Sequence, residues 1–175
     1  MKRQKIQSEY NRLGEAGLSA SLLHWYEISP GNQIWHEVEQ ELQNLLSDSF
    51  GYHGLWIGPS PSSFSPEEYS RVRHHVRMLC GHEGASLDAD AEALHLQAES
   101  VDIVVLIHAL EFSHDPHQLL REVDRILVPE GNLLIIHFDP VSWYGLFRLA
   151  LFWKKRIPWL LPFYTGFRVR DWMSL

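Results

Sequence analysis

The apolar and polar positions of this chain alternate with different periods in different stretches, and each period predicts an element. Met1 to about Leu18 carries no clear apolar stripe, and residues 1–32 read as an N-terminal arm. Trp35, Val38, Leu42, Leu45 and Leu46 then recur at helical spacing, with Glu37, Glu39, Gln40 and Glu41 between them. That pattern predicts an amphipathic helix over 33–50, with Asn32 as its cap. Phe50-Gly51-Tyr52-His53-Gly54 breaks the helix, and Leu55-Trp56-Ile57 is a short apolar strand. A loop of prolines and serines follows. Pro66-Glu67-Glu68-Tyr69 then reads as a helical turn, with proline at its first position and acids behind it. Val76 to Cys80 is a second candidate strand.

The densest pattern lies further on. Val101 to Ala109 is nearly all apolar and β-branched, as expected of a strand covered on both faces. Pro116 to Leu127 is an amphipathic helix with Leu119, Leu120, Val123, Ile126 and Leu127 on one side. Asp115 stands before it as a cap and Pro116 at its first turn. Pro129-Glu130-Gly131-Asn132 reads as a turn, and Leu133 to Phe138 as a buried strand. Strand, helix and strand make one right-handed βαβ unit and therefore a parallel pair. The chain is thus expected to be an α/β domain over 33–175, with a mainly parallel sheet and helices on both faces.

The same residues carry a family likeness. Asp90-Ala91-Glu92-Ala93-Leu94-His95-Leu96, Glu99-Ser100-Val101-Asp102, His108-Ala109-Leu110-Glu111-Phe112 with Asp115-Pro116, and Leu119-Leu120-Arg121-Glu122 through Pro129-Glu130-Gly131 follow one another in order. Together they resemble the core of a class I S-adenosylmethionine-dependent methyltransferase, of the methyltransferase type 11-like kind. The resemblance runs over about Leu55–Leu175 and is dense from Asp90 to Pro140. Arg170-Asp171-Trp172 is similar to the start of the family's last helix.

The resemblance implies a Rossmann-like sheet, S-adenosylmethionine as cofactor, and methyl transfer to an acceptor that the sequence does not name. It places the cofactor near Gly58, Ser60, Asp90, Ala91 and His108. In the family a glycine-rich loop after the first strand approaches the cofactor's amino-acid part. An acid ending the second strand holds the ribose, and an aspartate in the next loop takes the adenine, the position of Asp90. Here Gly58-Pro59-Ser60-Pro61 keeps one glycine, and the two prolines remove amide donors and add bulk. No acid stands at Cys80, and Glu83 is the nearest. The expectation is therefore micromolar or poorer cofactor affinity. The alternative is a methyltransferase-like binding or regulatory module that has lost the cofactor.

Individual residues carry competing readings. Asp90 is an adenine ligand or a cap. His108, at the carboxyl end of the strand, is a general base or substrate contact, or a histidine hydrogen-bonded locally at a strand end. His114, Asp115 and His117 sit at a loop-to-helix junction where the aspartate already has a capping role, so no metal is expected. Asp102 reads as structural, and Glu122 with Arg125 as a surface pair.

Composition then narrows the classes. The 175 residues carry a formal net charge of −7, which argues against nucleic-acid binding through a basic face. Cys80 is the one cysteine, so there is no internal disulfide and no thiolate metal cage. A basic N-terminus without an apolar core is not a secretory signal, no run is long enough to span a bilayer, and a cytoplasmic location is expected.

Val141 to Arg170 is rich in aromatic and basic residues, and no acid stands between Asp139 and Asp171. A lid over the crevice, a peripheral membrane or protein contact through 141–167, and core packing compete for it. Leu175 comes before the two strands with which the family closes its sheet. An exposed strand edge and a homodimer through it are expected, or a chain cut from a longer protein.

Overall fold

A computed structural model describes residues 17–78, 94–142 and 161–174. Asp90, Ala91, Cys80, Glu83 and residues 143–160 of the aromatic and basic segment lie outside them. Residues 17–27 form α1, followed by α2 (Gly31–Ser47), β1 (Phe50–Ile57), α3 (Pro66–Tyr69) and β2 (Arg71–Met78). Then come β3 (Val101–Ile107), α4 (Ala109–Phe112), α5 (Pro116–Ile126), β4 (Leu127–Ile136) and α6 (Gly166–Met173). The four strands make one sheet in the order β2-β1-β3-β4, every neighbouring pair parallel. No helix among the described residues is long and apolar enough to cross a membrane.

Both faces of the sheet are covered, which is why β3 is buried along almost its whole length. Trp56, Ile103, Val105 and Ile107 point to one side, where α1 and α2 lie. Leu55, Ile57, Val104 and Leu106 point to the other, where α5 packs with Leu119, Leu120, Val123 and Ile126, and α6 with Val169.

Residues 17–27 are not an arm. Leu18, Leu22, Trp25 and Tyr26 recur at helical spacing and are buried in the same core as Trp35, Leu42 and Leu46 of α2. The polar residues that surround them mask that stripe. The corner between α1 and α2 is tight: a Cβ on Gly31 would stand 2.1 Å from the Trp25 carbonyl oxygen. The chain therefore enters α2 at Gly31, and the residue before the helix is Pro30 rather than the expected Asn32.

Other boundaries shift for one reason. Apolarity reports burial, whereas a strand is held by backbone pairing. β1 begins at Phe50 because Phe50–Gly54 pair with β2, although most of these residues are exposed. β2 begins at Arg71 on the same grounds and is described only to Met78. β4 begins at Leu127, and the expected turn at Pro129–Asn132 is absorbed as an irregularity opposite Val101–Ile103. It ends at Ile136, two residues short of Phe138. At α6, Thr165 is the cap and its hydroxyl accepts from Arg168 N–H at 3.3 Å. Arg170-Asp171-Trp172 therefore lies in that helix's second half.

Candidate active site

The chain runs outward from β1 to β2 on one side, then returns to the other side of β1 to form β3 and β4. Connections leaving β1 and β3 diverge at their carboxyl ends, which is where an open parallel sheet binds ligands. Gly58 and His108 are the first residues past those ends. Gly58 N–H donates to Met78 O at 2.9 Å, and His108 N–H to Ile136 O at 2.8 Å, so both are still gripped by neighbouring strands.

Gly58 has φ +111°, and a Cβ there would meet the Ile107 carbonyl oxygen at 1.9 Å. Only a residue without a side chain fits, on conformation and on space. The loop beyond it turns back on itself, with Phe64 N–H donating to Pro61 O at 3.0 Å. Phe64, fully buried, then pins the loop against Trp35, Trp56 and Tyr69, with ring centroids 5.7, 6.2 and 5.9 Å away.

Between this loop and the α1–α2 corner lies a cavity of about 830 Å³. Gly58, Ser60, Pro61, Ser62 and Ser63 form one wall, and Tyr26 and Trp35 another. Trp56 and Ile107 come from the strand ends, and Glu27, His36, Glu39 and Arg77 supply charge and hydrogen bonds at its border. Arg77 is held by Glu67 at 2.9 Å. Burial works against ionisation of Glu67. Its backbone hydrogen bond and the Arg77 guanidinium outweigh that influence and hold the carboxyl below its ordinary value.

Behind the cavity three polar side chains are joined in series inside the core. Tyr26 Oη lies 2.5 Å from His108 Nε2, and His108 Nδ1 lies 3.1 Å from Glu111 Oε1. Oε1 also accepts Phe138 N–H at 2.8 Å. Tyr26 is 4% exposed, and His108 and Glu111 are 1% exposed. The Phe138 ring stacks on His108 with centroids 4.4 Å apart. His108 has φ 53°, a left-handed conformation that places its ring across the turn into α4. Burial, and then the negative charge of Glu111, push the Tyr164 phenol up.

The residues singled out in the sequence divide as follows. Gly58 and Ser60 line the cavity. His108 lies at the expected strand end but is buried, and it reaches the cavity through Tyr26. Asp90 and Ala91 lie outside the described residues. Asp102 Oδ2 accepts the N–H groups of Tyr52 at 2.8 Å and His53 at 2.9 Å, tying the start of β3 to β1. Asp115 Oδ1 accepts from His117 and Gln118 N–H at 3.0 and 3.1 Å and so caps α5. Arg125 pairs with Glu122 at 2.8 Å and also donates to Leu94 O and Leu96 O, at 2.7 and 3.0 Å. It is therefore an anchor for the segment entering β3 as well as half of a surface pair.

Sequence reasoning missed Tyr26 and Glu111. The helical spacing of Leu18, Leu22, Trp25 and Tyr26 was the available signal for the first. For the second, it was the acid standing three residues after His108.

Comparison with known proteins points the same way as the topology. A methyltransferase domain model matches residues 64–135. The Escherichia coli (strain K12) protein YafS is 33% identical over 153 residues, which cover 86% of this chain and 62% of that protein. The demethylmenaquinone methyltransferase of Chlamydia pneumoniae is 28% identical over 78 residues, 42% of this chain and 33% of that enzyme. The chain thus spans less than two thirds of the length of these curated relatives.

Among solved structures, a phosphoethanolamine N-methyltransferase of Haemonchus contortus has a TM-score of 0.55 at 16% identity, covering 91% of this chain and 41% of that one. A Thermotoga maritima S-adenosylmethionine-dependent methyltransferase has a TM-score of 0.50 at 21% identity, covering 97% and 76%. These two likenesses are of fold.

Proposed function

We propose that this chain, whose residues 64–135 match a methyltransferase domain model, acts as a class I S-adenosylmethionine-dependent methyltransferase, that the cavity beside Gly58 binds S-adenosylmethionine and that the domain transfers its methyl group to an acceptor. The observation that carries the reading is Gly58 itself. A bare Cα at φ +111°, pressed against the Ile107 carbonyl at the switch point of a parallel sheet, leaves backbone at the place where the family brings the cofactor's amino-acid part.

The residues present fit the group. The cavity of about 830 Å³ falls within the range of small-molecule sites. Ser60, Ser62 and Ser63 offer hydroxyls to a carboxylate or ammonium, and Glu27 and Glu39 put negative charge at the border of a site for a positively charged ligand. Trp35, Trp56 and Tyr26 give it an apolar, aromatic wall.

When bound, S-adenosylmethionine supplies an electrophilic methyl group on a sulfonium, transferred by direct displacement. The chain's share is alignment and exclusion of water. The loop pinned by Phe64 and the α1–α2 corner set the walls between which an acceptor must align. The two prolines flanking Ser60 take away amide donors that the family's loop retains. A missing contact costs about 1–3 kcal/mol, and the affinity is accordingly micromolar or poorer.

The test is calorimetric titration with S-adenosylmethionine and S-adenosylhomocysteine. The expected result is one site with a micromolar dissociation constant that weakens in Gly58→Ala. Absence of binding at millimolar ligand overturns the proposal and leaves a methyltransferase-like module without cofactor. Nanomolar binding overturns the account of the prolines.

A further inference from the structure

Tyr26, His108 and Glu111 form a buried polar series in a core that is otherwise apolar and aromatic. Such groups are costly to bury, and a core needing only packing is served better by apolar side chains. Two further costs are visible. Glu111 Oε2 is buried with no hydrogen-bond partner among the described residues. His108 holds a left-handed backbone at φ 53°, ψ 15° without being glycine. Strain and unsatisfied polarity of this kind concentrate where a structure is shaped for chemistry.

The direction of the hydrogen bonds follows from one backbone group. Phe138 N–H donates to Glu111 Oε1, and an ionised carboxylate can only accept, so with Glu111 as the carboxylate His108 Nδ1 is the donor in the contact at 3.1 Å. A neutral imidazole protonated at Nδ1 has a bare Nε2. That nitrogen faces Tyr26 Oη, so the phenol donates to it. The order is hydroxyl, imidazole, carboxylate: the arrangement by which a hydroxyl is readied to hand over its proton. Tyr26 is the member that lines the cavity, and the other two lie behind it.

We propose that Tyr26 is a catalytic residue that takes the acceptor's proton, that His108 and Glu111 are its positioning residues, and that the acceptor is a hydroxyl group. The proposal rests on the cavity being the methyl-transfer site. As the acceptor oxygen forms its bond to the methyl carbon, the carbon–sulfur bond breaks and its electron pair stays on sulfur. The acceptor's proton passes to Tyr26 Oη, and Tyr26's own proton passes to His108 Nε2. The positive charge arising on the imidazole ring faces Glu111. A hydroxyl is the acceptor that needs this relay. It is a poor nucleophile while protonated, whereas a thioether or neutral amine already carries a free lone pair.

Two measurements test the proposal. Long-range nitrogen–proton NMR on the full chain reads the His108 tautomer. Nδ1–H with a bare Nε2 is expected in the wild type and in Glu111→Gln, whose amide oxygen can still accept from Nδ1 and from Phe138 N–H. A proton on Nε2 in the neutral wild-type ring overturns the relay. Transfer of a tritiated methyl from S-adenosylmethionine is then followed to catechol, 4-hydroxybenzoate and benzyl alcohol, with benzylamine as the nitrogen control.

Methylation of a hydroxyl probe is expected, with kcat about hundred-fold or more lower in Tyr26→Phe and about tenfold or more lower in Glu111→Gln. The dissociation constant of S-adenosylhomocysteine should stay within about twofold in both. Wild-type kcat in Tyr26→Phe overturns the role of Tyr26. Methylation of benzylamine alone, or cofactor binding with no transfer to any hydroxyl probe, overturns the acceptor class and leaves cofactor binding standing. Failure to bind S-adenosylhomocysteine at all is the failure of the cofactor site, read separately from the tautomer.

Discussion

Gly58 and Ile107 meet backbone to backbone at the carboxyl ends of β1 and β3, where a Cβ on Gly58 would stand 1.9 Å from the Ile107 carbonyl oxygen. The contact joins two strands that belong to opposite halves of the sheet. Any side chain at 58 must push those halves apart or abandon φ +111°. Gly58→Ala is therefore expected to lower stability by at least about 2 kcal/mol. A larger side chain costs more. Urea denaturation measures the loss, and an unchanged midpoint would show that the strand ends can separate freely.

The second prediction concerns α1. Leu22 is fully buried beside Trp25, Tyr26 and Trp35. Replacing it by alanine should cost about 2–4 kcal/mol, as for other leucines removed from a packed core. A segment lying outside the domain would show less than about 0.5 kcal/mol on the same change. Comparing chemical denaturation of Leu22→Ala with that of wild type decides between them.

Asp102 is the third. One carboxylate oxygen accepts two backbone N–H groups of β1, at 2.8 and 2.9 Å. Asp102→Ala removes both acceptors at once and should cost about 1–2 kcal/mol, water replacing part of the loss because both amides are near the surface. Hydrogen exchange at Tyr52 and His53 should quicken before exchange at Trp56 does. Equal protection of all three amides in the variant would mean that strand pairing alone holds the start of β1.

The Glu67–Arg77 pair makes a prediction about pH. The folded Glu67 carboxyl ionises below its ordinary value, so the folded state favours its charged form. Stability from this group is fully present above the ordinary glutamate value. It is lost as the pH falls through that value and then through the lower folded one. Wild type should therefore be more stable than Glu67→Gln at pH 7, with the difference shrinking below about pH 4. Paired urea titrations at neutral and acid pH check the sign. A difference that grows on acidification would contradict it.

Part of the candidate site is legible in the sequence: Gly58 and Ser60 line the cavity, while Asp90 and Ala91 lie outside the described residues. Gly58 is the one glycine kept of the glycine-rich loop that the resemblance implies, and the cavity lies against it. His108 was placed at a strand end, and it is there, yet its neighbours could not be read off. Tyr26 stands 82 positions before it, and only the packing of α1 across the sheet brings the two together. Glu111 was visible as a letter of the motif, but its role depends on Phe138 N–H, which arrives from the end of β4.

What the sequence by itself determined is the βαβ core: β3 and α5 follow from apolar period and capping chemistry at Asp115 and Pro116, because those signals are local. It determined much less of where β1, β2 and β4 begin, since Phe50 and Arg71 are joined by pairing to a neighbouring strand although both are exposed, and β4 pairs with β3 at Leu127 and again from Asn132 across an irregularity. The spacing of Leu18, Leu22, Trp25 and Tyr26 marks residues 17–27 as helical, but tertiary structure alone decided that Tyr26 closes a hydrogen-bonded series with His108 and Glu111. The physical reason is range. Periodicity and caps act over a few residues, whereas a buried polar contact is chosen by whichever distant element the sheet's crossover brings to face it.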